Sequence, residues 1–448
     1  VNEGITLERR DLTILGGGPA GLATAFYATR AAVPFVLFER SKWLGGLCRT
    51  FRHGNHLYDS GAHRFHDRDT EITNDIQQLM SDELIAVDAP SKIFDRGRLV
   101  DFPPRPINII FSGLSMVEAF RIGIDVVRSR RKRRRAVTFA DFAIAQFGEI
   151  LARRVLLNYS EKLWGLPADQ LSPDVATRRL QGMSLRSLAR ELFSPRQATT
   201  HLDGTFLYPK QGYGRIVERI AATLPASSIK TEHEAVGVKC VNAQITQICF
   251  ANRPPVAVSG RVISTLPLPV LANLLGDRLS EKARAAAERL RFRQIRLFFI
   301  RLMQTRASSS ASIYVPDPKL CISRIYEPKN RSRWMAPEQE TSLVVEVPCF
   351  EDDPLYHMEP DRLAERVIAE IGTIGIVDPA KVVEWRHHLL RNAYPVYTLD
   401  YADEVRTVRE ALKKIENLDL LGRGGLFFYS HLHDQLRFGK DYVNSLIA

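Results

Sequence analysis

Apolar positions along the chain follow two periods. Asp11–Leu15 (DLTIL) and Pro34–Glu39 (PFVLFE) are short unbroken apolar runs, as buried strands present. Between them, Leu22–Ala31 (LATAFYATRA) is rich in helix formers. Similar strand-like runs recur at Arg261–Leu271 (RVISTLPLPVL) and Asn417–Leu421 (NLDLL), and Ile229–Cys240 (IKTEHEAVGVKC) reads as returning strands. Phe139–Leu185 instead spaces its apolar residues near i, i+3, i+4, which predicts a helical region, and GYGRIVERIAATLP (Gly212–Pro225) predicts a glycine-led amphipathic helix. Pro103, Pro104 and Pro106 break regular structure between the two regimes.

The joints between these elements carry the chemistry. GGGPAG after the first strand sets Gly16-x-Gly18-x-x-Gly21, with Pro19 and Ala20 inside the turn. Gly16 permits a tight turn, Gly18 lets a pyrophosphate approach the backbone, and Gly21 lets the helix pack close to the strand. The helix N-terminus offers free N–H groups to phosphate. The second strand ends in Glu39, placed to bind both hydroxyls of an adenosine ribose and to repel a 2′-phosphate; the adjacent Arg40 weakens that second point. Strand, glycine turn, helix, strand and acid together predict dinucleotide binding.

A second glycine pair follows in ERSKWLGGLCRT, which holds Gly45, Gly46, Leu47 and Arg49. This continuation resembles that of the FAD enzymes of the amine oxidase, protoporphyrinogen oxidase-like and UDP-galactopyranose mutase-like superfamily. The resemblance runs in order from Asp11 to Leu446. It implies a non-covalent FAD, lying close to Gly45, Gly46, Leu47 and Arg49, and an α/β (α+β overall) fold. A Rossmann-like FAD domain would be assembled from residues 1–95, 205–268 and 405–448, and a substrate domain with helical and sheet parts from 96–204 and 269–404.

Within that resemblance GAHRFH (Gly61 to His66) matches the mutase-type loop, so Gly61, Ala62 and His63 are expected beside the flavin, with Asp59 holding the turn. His63 is either a sensor of the flavin's redox state or a satisfied structural histidine. YPKQGYG places Gly212 next to the flavin, Val236 falls where a backbone pair grips adenine, Thr265 lies in the strand that leaves the cofactor domain, and DLLGRGG sets Gly422 and Arg423 against the pyrophosphate. The last helix would aim its N-terminus at the flavin O2 region. YSEKLWGLP brings Lys162 and Trp164 toward the substrate cavity, unless Trp164 is core and Lys162 a solvated end. Arg324, Arg391, Tyr394, Tyr397 and Tyr401 are candidates to line it, since paired guanidiniums suit a diphosphate. The expected function is hydride transfer from a small molecule to FAD. The alternative is a redox-neutral nucleotide-sugar mutase in which reduced flavin N5 is the nucleophile. An idle flavoprotein scaffold is the third reading, and the intact glycine motifs argue against it.

Composition narrows this little. The 448 residues suit about 2–3 domains, and 45% hydrophobic content allows a substantial core. No apolar run approaches the ~18 residues of a spanning helix, and the first twelve residues are too polar for a secretory signal. Five scattered cysteines without metal spacing suggest reduced thiols and a cytoplasmic protein. The net charge of +11 comes mostly from RSRRKRRR (Arg128 to Arg135), with seven cations in eight residues after the apolar helical segment Ser115–Val127. That run reads as a solvated helix end or loop, as peripheral contact with anionic lipid, or as a polyanion contact; nothing that reads bases accompanies it, so nucleic acid is not expected.

Overall fold

The computed structural model describes residues 11–102, 116–131, 136–179 and 205–448. One lobe is built on a five-stranded parallel sheet, ordered Leu418–Leu420, Arg261–Ser264, Leu12–Leu15, Phe35–Phe38 and Ile229–Lys230. Leu12 pairs with Phe35 on one side and with Arg261 on the other. Three stretches far apart in sequence therefore meet edge to edge. Leu12–Leu15 is buried at every position, because a parallel strand is covered on both faces; this is why its apolar run does not alternate. The helices Pro19–Arg30 and Leu432–Ile447 pack together over this sheet. Gly439 of the second approaches so closely that a Cβ there would lie 2.7 Å from the Thr24 amide nitrogen.

The other lobe is built on a seven-stranded mixed sheet, ordered Val382–Pro395, Phe292–Leu302, Thr341–Cys349, Arg324–Tyr326, Ser312–Tyr314, Ser91–Asp95 and Arg98–Phe102. The helix Pro360–Ile374 covers one face through Leu363, Val367 and Ile371, which join Phe298, Ile300 and Val345 in a buried cluster.

The large sheet takes in Ser91–Asp95 and Arg98–Phe102 at one edge. The helices Leu268–Leu275 and Glu281–Arg289 pack elsewhere. The first lies on the strand Ala235–Val241 of a three-stranded antiparallel sheet, the second against the helix Tyr401–Leu412. The chain enters the large sheet at Phe292.

The predicted helical region forms a layer of short helices, Phe139–Phe147, Glu149–Ala152 and Asn158–Trp164, with a π-helical turn at Arg153–Leu157. Thr138 and Asp141 cap the first reciprocally: Asp141 N–H donates to Thr138 Oγ1 at 3.0 Å, and Thr138 N–H to Asp141 Oδ2 at 3.0 Å. The amphipathic helix Met116–Arg131 lies outside this layer. Lys132 to Arg135, the end of the basic run, lies outside the described residues.

Candidate functional site

A cavity of about 480 Å³ opens where the two lobes meet. At one end, where a nucleotide would lie, stands the first glycine turn. Gly16 holds φ +103°, and a Cβ on Gly21 would sit 1.9 Å from the Gly16 carbonyl oxygen, so only glycine allows that strand–helix approach. Gly18 differs: a Cβ there would meet nothing within 4 Å. Its bareness serves the cavity it lines, not the packing of the fold. The Glu39 carboxylate is fixed by main-chain donors, Gly17 N–H to Oε2 at 2.8 Å and Ser41 N–H to Oε1 at 2.9 Å. Its remaining lone pairs can accept ribose hydroxyls. Arg423, opposite, is held by the carbonyls of Ser430 and Ala393 rather than by a carboxylate, which leaves its charge for a phosphate. An acid for a ribose, a side-chain-free helix start and a cation in one cavity fit a long diphosphate nucleotide.

Gly16, Gly18, Pro19, Ala20, Glu39 and Arg40 line the cavity, as do Gly46, Leu47, Ala62, His63, Thr265, Gly422 and Arg423. Gly21, Gly45, Gly61 and Gly212 stand behind this lining. Gly45 N–H donates to the Gly17 carbonyl at 2.8 Å and ties the two glycine turns together. Gly61 backs onto the His63 ring, and Gly212 packs on Thr50 and Asp59. Asp59 braces that corner, accepting from Thr50 Oγ1 at 2.6 Å and Tyr213 N–H at 2.9 Å; burial raises its carboxyl pKa, and these donors oppose the rise. Arg49 turns away from the cavity, its guanidinium over the Phe51 and Trp43 rings at 5.0 and 5.7 Å. The Val236 side chain is exposed and outside the lining; His233, Glu234 and Ala235 line the cavity instead. His233 N–H donates to the Glu39 carbonyl at 2.9 Å, which brings that turn to the ribose end.

At the far end, Arg324 reaches in from the large sheet. It meets Glu346 in a two-pronged contact, Nη2 to Oε1 at 2.7 Å and Nε to Oε2 at 3.1 Å. Burial disfavours the Arg324 charge, but the Glu346 carboxylate more than restores it. Tyr394 lines the cavity and accepts a long hydrogen bond from Arg324 at 3.4 Å. Arg391 lines it as well, half-exposed and 3.6 Å from Glu351. Tyr397 does not: it is buried, stacked on Trp164, and its hydroxyl accepts from Tyr429 N–H at 2.6 Å. Trp164 is likewise core, and Tyr401 bonds to Asp174 at 2.5 Å away from the lining. Lys162 is spent on the chain 315–322, donating to the carbonyls of Val315 at 2.8 Å, Ile322 at 3.0 Å and Asp317.

His63 is a neutral wall. Its Nε2–H donates to the Leu47 carbonyl at 3.0 Å, and its ring stacks on Tyr213 at 4.9 Å. Burial, and then the cations of Arg324, Arg423 and Arg331, push its pKa down to about 3. His431 also lines the cavity; burial and the Arg423 charge hold it at about 3, and its ring accepts from the main chain as cap of the last helix. Arg64, Arg68, Tyr159, Tyr314 and Tyr429 complete this end. Arg64 and Arg68 lie in or beside the GAHRFH loop, and Tyr429 and His431 lie in YSHLH, so proximity to a motif could have found them; Tyr314 carries no such signal.

The profile of flavin containing amine oxidoreductases matches residues 19–431. The chain belongs to this family. Its cofactor is accordingly FAD, and the chain is an FAD-dependent enzyme. Solved structures share the fold. A reduced UDP-galactopyranose mutase superposes with TM-score 0.85 at 22% identity, covering 98% of this chain and 95% of that one. An Exiguobacterium protein assigned as a protoporphyrinogen oxidase gives 0.77 at 20%, covering 98% and 99%. A putrescine oxidase bound to putrescine gives 0.68 at 14%, again covering 98% and 99%. No curated protein matches by sequence. Gly18, Glu39 and Arg423 could hold the nucleotide of the FAD, and Arg324, Arg391 and Tyr394 line the far end of the cavity. Among the described residues no group of side chains could hold a metal ion, and no helix is long and apolar enough to cross a membrane.

Proposed function

We propose that this enzyme is an FAD-dependent oxidoreductase acting on an anionic small molecule. The supporting observation is the charge of the far end of the cavity. Arg64, Arg68, Arg324 and Arg391 line it; Arg324 is engaged by Glu346, and Arg391 lies 3.6 Å from Glu351 outside the lining. Four guanidiniums at one end of the cavity repel a cationic amine and attract a carboxylate or phosphate. When bound, FAD supplies a ring that accepts a hydride. The protein's part is to orient the substrate through the arginines and the Tyr394 hydroxyl and to exclude water. The neutral His63 and His431 rings present no acid near neutral pH, so proton transfer at this wall falls to solvent or to the substrate itself.

A second reading is a redox-neutral nucleotide-sugar mutase. It is favoured by the pairing of Arg324 and Arg391 with Tyr394, which suits a diphosphate as well as a carboxylate. One anaerobic experiment separates the two. Loss of the oxidised flavin absorbance on adding organic acids, without any reductant, supports the oxidoreductase. Binding and ring interconversion of UDP-sugars only after dithionite would select the mutase. A flavoprotein that bleaches with cationic amines and ignores anions defeats both readings.

A further inference from the structure

The helix Met116–Arg131 turns an apolar face outward. Val117, Phe120, Ile124 and Val127 are 60, 71, 37 and 52% exposed, and their spacing of three, four and three residues sets them in one stripe along the helix. The other side of the helix is used. Asp125 Oδ2 accepts from Ile150 N–H at 2.9 Å, and the helix packs on Phe139–Phe147 and Glu149–Ala152. Ile150 and Val137, in the segments beside it, are 44 and 65% exposed and widen the apolar surface. Scattered exposed apolar side chains need no explanation, but a continuous stripe on one helix face does.

Charge states what the stripe fits. Arg121 and Arg128 are exposed on the same helix, and the seven cations of Arg128 to Arg135 begin in its last turn and continue beyond it. We infer that this outer helix face, its apolar stripe flanked by Arg121 and Arg128, docks on an anionic lipid surface. Apolar side chains beside clustered cations suit the boundary between acyl chains and acidic headgroups. A nucleic acid would use the cations and leave Phe120 and Ile124 in water. A second copy meeting face to face would bring two such runs of like charge together. The inner side of the same helical layer gives Phe139, Leu156 and Tyr159 to the cavity wall. Docking therefore sets this helical layer between the bilayer and the cavity. The inference does not depend on which reaction the cavity performs.

The test is flotation of the full-length, FAD-loaded protein with vesicles of phosphatidylcholine alone or mixed with phosphatidylglycerol. Partitioning onto the anionic vesicles should exceed that onto the neutral ones by roughly a hundredfold and fall with added salt. The double substitution Phe120→Glu and Ile124→Glu should abolish flotation while flavin absorbance and circular dichroism stay unchanged. Arg121→Gln with Arg128→Gln should weaken it while leaving the apolar stripe intact. The inference is overturned if the anionic vesicles do not bind the protein. It is overturned equally if the glutamate substitutions leave flotation intact and heparin competes fully, since the run would then be a bare polycation. A concentration-dependent dimer in light scattering that the glutamate substitutions dissolve would assign the face to a second copy and overturn it as well.

Discussion

Arg324 and Glu346 face each other across neighbouring strands of the large sheet, with Nη2 2.7 Å from Oε1, and the same carboxylate oxygen accepts from Ala62 N–H at 3.2 Å. One buried acid thus ties a substrate-side arginine to the loop that carries His63. Removing one partner of such a pair leaves the other charge buried and uncompensated. Glu346→Gln should destabilise the protein by about 3–5 kcal/mol, read as a drop in the midpoint of thermal unfolding, whereas Arg391→Gln, at a half-exposed pair, should barely move it.

The glycine motif predicts two opposite failures. Gly18→Ala has open space around it, so the apoprotein should unfold at an unchanged temperature, yet FAD should bind at least about tenfold more weakly. Gly21→Ala drives a methyl group into the Gly16 carbonyl and should cost about 1–3 kcal/mol of stability before any cofactor is added. Cofactor titration and apoprotein melting separate the two.

His63 predicts an acid sensitivity. Its folded pKa of about 3 lies below the ordinary 6.5, so between those values the unfolded chain binds the extra proton and stability rises with pH. The contribution is complete above about pH 6.5 and is lost as pH falls toward 3. Melting curves across this window should show a shallower pH slope, by up to one proton, in His63→Gln. An unchanged slope would mean the ring is already charged in the fold.

Lys162 predicts the same sign at alkaline pH. Burial lowers its pKa from 10.5 to about 8, so the unfolded chain again holds the extra proton in between, and the wild type should gain stability over Lys162→Met as pH rises through that range. The carbonyls of Val315 and Ile322 lose their donor in the variant, so the chain between Tyr314 and Arg324 should exchange its amide hydrogens faster.

If the proposed substrate class is right, Arg391→Met should raise KM for an anionic substrate by roughly ten- to a hundredfold, as loss of a charge-assisted hydrogen bond does, with FAD affinity unchanged. A loss confined to kcat would place Arg391 outside substrate binding.

What the sequence by itself determined was the local main-chain chemistry. Gly16, Gly18 and Gly21 mark a turn whose conformation is set within six residues, Glu39 ends the next strand, and GRGG repeats the bare backbone near the other end. Such signals need no knowledge of distant neighbours, and each lies at the nucleotide end of the cavity or directly behind it. The tertiary structure alone decided where side chains point. Tyr394 and Tyr397 lie three residues apart in one extended stretch, yet one lines the cavity and the other stacks on Trp164, because the chain leaves the sheet after Pro395. Arg49 turns to Phe51 and Trp43 while Arg324 turns inward to Glu346, and Lys162 finds carbonyls from a segment more than 150 residues away. The helical period of Met116–Arg131 likewise announces a helix but not which of its faces stays uncovered. Those outcomes depend on which distant segments supply the opposing surface, and a chain's local pattern carries no record of that.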